Sequence, residues 1–225
     1  MGDHPRQAAR NLVIYGMDSG VCIINYGMGN LGSVLNAFSF LGHNAVISAN
    51  PQTIASADAY VLPGVGAFGE AMANLKRTGL VEILAEQVLE RKKPFLGICL
   101  GLQLLAEDSQ EKGFEAGLGW IDGHVVAIPA GSGVRVPHVG WSEVSPVDQT
   151  FFTRVADDAT FYFDHSFHLV CDPGLVAAKC DHGMPMVAAI RRDNIFATQF
   201  HPEKSQKSGL KLLRNFLNFC AAGKG

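Results

Sequence analysis

No run of Lys or Arg is long enough to suggest a nucleic-acid stripe, and the 18 basic residues are outnumbered by 21 acidic ones, for a formal net charge of −3. A chain without a basic stripe has no electrostatic footprint for a nucleic acid or another polyphosphate. Long apolar runs are missing too. Nothing approaches the roughly 18 to 20 residues that span a bilayer. The N-terminal stretch offers only Leu12 to Tyr15 where a signal peptide needs an apolar core of about 7 to 15 residues. The five cysteines, Cys22, Cys99, Cys171, Cys180 and Cys220, are odd in number and none stands in a CxxC pair, so the sequence offers neither a zinc site nor a dithiol redox motif. These absences point to reduced thiols in a cytoplasmic chain, with no nucleic acid and no membrane among its partners.

What is present is a sequence of 225 residues, 48% apolar and holding 25 glycines, enough to bury the core of one domain. Residues 1–20 carry little periodicity and are expected to be a disordered extension, with Met17 as an alternative start; the single domain is expected over 21–225. From Val21 onward short apolar runs alternate with helical stretches: strands at 21–25, 45–48, 59–62 and 95–98, with a helix at about 30–41, more than one over about 70–92, and another at about 100–107. Apolar strands bounded by Gly or Pro with helices between them predict a doubly wound α/β sheet, mostly parallel and flanked by helices. The second half changes character. Strands at 124–128, 160–163, 175–178, 186–190 and 195–200, separated by turns, predict an antiparallel extension before a C-terminal helix at about 205–221.

The sharpest local signal is the segment Phe95 to Leu105, an apolar strand, then Cys99 flanked two residues away on each side by Gly97 and Gly101, then a helical run. Small neighbours allow the tight strand-to-helix turn that lifts a nucleophile clear of a sheet. At the start of a helix the unpaired amides and the dipole favour a thiolate, and the N–H of Leu100 is placed for a developing oxyanion. A nucleophile of this kind needs a base. Near the C-terminus His201 and Glu203 flank Pro202 at the end of another predicted strand, and residues i and i+2 of an extended segment share a side, so Glu203 is expected to orient the imidazole toward Cys99.

The pair of motifs Gly97-Ile98-Cys99-Leu100-Gly101-Leu102-Gln103 and Phe200-His201-Pro202-Glu203 resembles that of the class I, triad-type glutamine amidotransferases, and the likeness runs from Val21 to the C-terminal helix. Further segments, at Asn25–Val34, Leu62–Phe68, Val136–Ser142, Tyr162–Phe167 and Gln199–Gln206, look like the branch of that family that pairs with a (β/α)8 barrel cyclase in histidine biosynthesis. The resemblance implies a flavodoxin-like central sheet. It also implies a Cys99-His201-Glu203 triad acting through a glutamyl thioester, no metal or organic cofactor, and a heterodimer in which ammonia is passed to the cyclase. It further implies that Val65, in the Pro63–Gly66 loop, gives the second oxyanion-hole amide beside Leu100. Gly64, Gln103, Glu111, Ser166 and Phe167 would hold the glutamine. His138, Trp141 and Tyr162 would face the partner. The chain departs from the family's pattern at Asn25, Ser142, Asp164 and His168. The departures leave open a paralogous subunit feeding a different synthase, such as one that modifies surface sugars.

Overall fold

Four segments, VCII, AYVLPG, FLGIC and IFAT, are apolar or small nearly throughout and buried at every position, as the inner strands of a sheet covered on both faces must be. The computed structural model describes residues 20–131 and 135–222; the expected disordered extension and Met17 lie, apart from Gly20, outside the described residues. The first half runs β1 (Val21–Ile24), α1 (Leu31–Phe40), β2 (Ala45–Ser48), α2 (Pro51–Ser56), β3 (Ala59–Gly64), α3 (Phe68–Arg77), α4 (Leu80–Ala85), β4 (Phe95–Cys99) and α5 (Leu100–Gln103). The second half runs β5 (Asp108–Ser109), β6 (Glu115–Ala116), β7 (Gly123–Ala127), β8 (His138–Pro146), β9 (Thr160–His165), β10 (Phe167–Cys171), β11 (Val176–Asp181), β12 (Pro185–Arg192), β13 (Ile195–Thr198) and α6 (Gln206–Ala222).

The main sheet has the order β2-β1-β3-β4-β13-β12-β11-β8-β9. Its first five strands are parallel and follow the flavodoxin-like doubly wound order; the last four are antiparallel. The predicted parallel sheet with its antiparallel extension is therefore one continuous sheet. Alternation along the strands divides the core. Ile23, Val61 and Ile98 meet Phe38 of α1 and Phe216 of α6 on one face, whereas Ile24, Leu62 and Phe95 meet Met72, Leu75 and Leu84 of α3 and α4 on the other. A smaller sheet, β10-β7-β5-β6, closes beside the second face. Among the described residues no helix is long and apolar enough to cross a membrane.

Some boundaries differ from expectation. The helices expected over about 70–92 are parted at Gly79, whose φ of 66° no ordinary helix contains, and the second of them, α4, widens into a π-helical turn at Glu86–Glu90. The helix expected to reach 107 stops at Gln103. Leu105 and Ala106 tighten into three-residue hydrogen bonds, and the N–H of Glu107 turns to the carbonyl of Gly123 in β7, so the second sheet draws the chain off the helical path. Helix α2 was not expected. Its start is fixed by Asn50, whose side chain accepts from the N–H groups of Gln52 and Thr53, and by Pro51 at the first helical position. Strands β8 and β10 were also unexpected.

Candidate functional site

Strands β3, β4 and β13 all end on the same side of the sheet, the carboxyl side, where doubly wound folds place their ligands. Cys99 is the last residue of β4 and holds φ 55° and ψ −106°, a left-handed conformation that a non-glycine residue adopts only when its surroundings impose it. The neighbouring glycines explain the imposition. A Cβ on Gly97 would lie 2.7 Å from the carbonyl oxygen of Gly101, and one on Gly101 would collide with the carbonyl oxygen of Leu62. The helix turn is thus pressed against both β4 and β3. Leu100 follows as the first residue of α5, whose first-turn amides have no acceptor within the helix. Across the ladder, Gly64 is the direct partner of Cys99; a Cβ there would strike the Tyr26 hydroxyl and Leu100, and Gly66, with φ 107°, completes the loop that carries Val65.

The third strand brings the base. His201 lies just beyond β13, its N–H donating to the carbonyl of Tyr162 while Ser205 Oγ donates to the His201 carbonyl. Glu203 is not on an extended segment with it, as expected, because Pro202 starts a short 3-10 turn through Lys204. The turn still returns the carboxylate to the ring, with His201 Nδ1 2.9 Å from Glu203 Oε1 and both side chains at most 3% exposed. Burial by itself would lower the proton affinity of His201; the Cys99 sulfur and the Glu203 carboxylate outweigh it and raise the pKa to about 10. With Nδ1 bound to Glu203, Nε2 is left without a hydrogen-bond partner.

Val65, Cys99, Leu100, Gln103, Glu111, Ser166 and Phe167 line one cleft of about 320 Å³, together with Gly66, Pro137, Asp164 and His165. The structure thereby gathers residues from widely separated stretches of the sequence. Glu111 Oε2 accepts the N–H of Phe68 at 2.8 Å, supplying an acceptor to helix α3, whose own N-cap, Ala67, offers none. Gln103 Nε2 donates to the Phe167 carbonyl at 2.9 Å and to Gln199 Oε1 at 3.1 Å, leaving its own Oε1 to accept from a ligand. The Phe167 carbonyl also receives His165 Nδ1 at 2.8 Å.

The three residues expected to face a partner differ in exposure. Trp141 is 47% exposed beside Val139 at 54%. It meets Tyr162 edge to face at 6.2 Å, and Lys204 Nζ lies 5.5 Å over the tyrosine ring. His138 is corrected: it is 2% exposed and stacked between Phe163 and His182, so it cannot itself touch a partner. Its Nδ1 bonds His165 Nε2 at 3.0 Å and its Nε2 bonds Ser142 Oγ at 2.8 Å. Since the Phe167 carbonyl can only accept, the protons of this chain are fixed: Ser142 donates to His138, His138 to His165, and His165 to Phe167. Burial and the adjacent His182 push His138 down to about 4, which keeps it neutral and holds that direction. Sequence reasoning assigned no role to Gln199, Tyr26 or His165, although all three fall inside or beside quoted motifs.

The glutamine amidotransferase class-I family model matches residues 22–219. Imidazole glycerol phosphate synthase subunit HisH 1 of Campylobacter jejuni is 48% identical over 198 residues, covering 88% of this chain and 98% of the relative. Subunit HisH of the same synthase from Methanothermobacter thermautotrophicus is 48% identical over 202 residues, covering 90% and 100%. A solved structure of a glutamine amidotransferase superimposes with a TM-score of 0.72 at 19% identity, over 89% of this chain and 98% of that one, a likeness of fold.

Proposed function

The chain belongs to the glutamine amidotransferase class-I family, and from that premise we propose that Cys99, His201 and Glu203 release ammonia from glutamine for the synthesis of imidazole glycerol phosphate. The observation that carries the reading is the buried His201–Glu203 pair at 2.9 Å, with the imidazole's proton affinity raised by Cys99 and Glu203 together. A histidine pushed up to about 10 holds its proton at neutral pH, so its first act is to give that proton away.

The chemistry follows. The Cys99 sulfur, having yielded its proton to His201, bonds to the side-chain amide carbon of glutamine, and the carbonyl π electrons move to oxygen. That oxyanion is met by the N–H group of Leu100 and by that of Val65, whose peptide plane turns toward it when the partner is engaged. His201 Nε2 protonates the departing nitrogen, the C–N bond breaks, and ammonia leaves a glutamyl thioester on Cys99. Neutral His201 then takes a proton from water as the hydroxyl adds to the thioester carbon, and the C–S bond breaks to free glutamate. Glu203 holds the ring and stabilises its cationic form throughout. At the other end of the substrate, the Glu111 carboxylate faces the α-ammonium, Gln103 Oε1 accepts a substrate N–H, and Gly64, Ser166 and Phe167 present backbone to the amino-acid group.

Ammonia is delivered to a cyclase subunit with a (β/α)8 barrel, which docks on the face formed by Trp141, Val139 and Tyr162; Val139 is paired with Asp164, which lines the same cleft as Val65, and this is the route by which docking reaches the oxyanion loop. The test is glutamate release by the full chain, alone and with the barrel cyclase and its ribotide ligand, with Cys99→Ala as control. Stimulation by that partner and loss in the variant are expected. Activity indifferent to that partner would move the chain to the surface-sugar branch of the family, and activity surviving in Cys99→Ala would overturn the mechanism.

A further inference from the structure

Two buried carboxamides stand behind the nucleophile, and their orientation follows from the one group in the network that has no choice. The carbonyl of Phe167 is an acceptor only, so the atom of Gln103 that faces it at 2.9 Å is the nitrogen. The same nitrogen faces Gln199 at 3.1 Å; its second hydrogen therefore points there, and the Gln199 atom that receives it is the oxygen. What remains of Gln199 is its NH₂ group, and this lies 3.7 Å from Cys99 Sγ. Gln199 is fully buried and Gln103 is 6% exposed, so water does not compete for these bonds.

From this arrangement we propose that Gln199 is a positioning residue that donates an N–H to the Cys99 sulfur, with Gln103 and the Phe167 carbonyl preventing its amide from turning over. A donor aimed at sulfur favours the thiolate over the thiol, because a hydrogen bond to the charged form is the stronger one. It also restrains the rotation of the Cys99 side chain, leaving the sulfur toward the cleft. The carbonyl of Asp164, 3.9 Å from the same sulfur, is an acceptor and acts the other way on a thiol; the Gln199 donor is what opposes it. Gln103 consequently has two duties, since the amide that meets the substrate through oxygen also fixes the amide that meets the nucleophile.

This inference rests on Cys99 being the nucleophile, and its test is read on the sulfur itself, whatever the substrate. The rate of Cys99 alkylation by iodoacetamide is measured against pH in the full chain and in Gln199→Met and Gln199→Glu, with thermal melts to separate folding from reactivity. Loss of one charge-assisted donor corresponds to roughly a tenfold fall in alkylation at neutral pH and a rise of about one pH unit in the midpoint. Gln199→Glu, which keeps the shape but aims an oxygen at the sulfur, shows the larger rise. Gln103→Leu, which leaves Gln199 free to rotate, moves the midpoint in the same direction. In the unsubstituted chain, the side-chain NH₂ resonances of Gln199 titrate with the alkylation midpoint. Midpoints unmoved in the folded variants, or a Gln199 amide that does not sense the titration, would overturn the proposal. Failure of the Cys99→Ala control in the glutaminase assay would instead strike at the nucleophile assignment.

Discussion

Replacing Glu203 by Gln changes one atom of a buried pair and leaves its shape intact. In the native site Nδ1 of His201 donates to Glu203 Oε1 at 2.9 Å, with the two side chains 3% and 2% exposed, so solvent screens the interaction very little. A charge-assisted hydrogen bond in such surroundings is worth about 1.5–3 kcal/mol, which alone gives a loss of roughly 10- to 150-fold. A glutamine side chain can also present its NH₂ to Nδ1, and then the ring's proton sits on Nε2, the nitrogen that must collect the thiol proton. Adding that error, kcat for glutamate release is expected to fall by about 10² to 10⁴, with KM little changed because Glu203 does not line the cleft. The assay is steady-state glutamate release in the presence of the partner cyclase. Stability provides a second reading. His201 binds its proton more tightly when folded than its ordinary 6.5, so its contribution to stability is fully present below that pH and is lost as pH rises through about 10. In Glu203→Gln the decline of melting temperature across that window is expected to be shallower. A kcat within about threefold of the unsubstituted chain would refute the orientation argument, since even the weakest form of that bond predicts more.

Two further substitutions separate roles that the geometry combines. Glu111→Gln keeps an oxygen for the N–H of Phe68 but removes the charge proposed to face the substrate's ammonium, so KM is expected to rise by roughly tenfold or more while kcat holds. Glu111→Ala also uncaps α3 beside the oxyanion loop, and kcat is expected to fall with it; equal kinetics in the two variants would show that the cap is idle. Trp141→Ala removes the large exposed ring of the proposed docking face and is expected to weaken cyclase binding by about 30-fold or more, measured by titration calorimetry, as for the aromatic anchors of other interfaces; an unchanged Kd would place the partner elsewhere.

The parts of the site that were legible in the sequence are those that the backbone constrains locally. Gly97 and Gly101 announce the elbow because a Cβ at either would meet main chain, and His201 and Glu203 stand two residues apart, so their pairing needs no knowledge of the fold. Gln199 lies within its motif but carries no legible role, because its partners, Gln103 and Cys99, lie 96 and 100 residues away, and an isolated glutamine has no pattern by which to announce a buried role. The same holds for His138, which looked exposed in a Pro-His-Val-Gly-Trp stretch and is instead sealed between two rings. The end of helix α5 is hidden because apolar Leu104, Leu105 and Ala106 continue its composition, whereas Leu105 and Ala106 tighten into three-residue hydrogen bonds and Glu107 turns its N–H to the carbonyl of Gly123 in β7.

Strand β8 escaped notice for a reason that bears on function. A strand half covered by a core shows apolar residues inward and polar residues outward. In the first half of the strand the inward position is the polar His138 and the outward positions are Val139 and Trp141, 54% and 47% exposed, before the ordinary pattern returns with Glu143 and Ser145 outward and Val144 buried. The reversal costs something on both sides: an imidazole must be buried, and its hydrogen bonds to Ser142 and His165 offset that, while apolar surface is left facing water. Such an outward face is held in place by main-chain pairing, because β8 is bonded to β9 over residues 138–143 and then to β11 over residues 144–146, so the apolar side chains need not anchor the strand and are free to serve a surface that covers them. The inverted alternation that hid the strand is thus the alternation a docking face requires. Its inward histidine continues through His165 to the Phe167 carbonyl, so the strand that carries Trp141 is hydrogen-bonded to the wall of the cleft that holds Cys99.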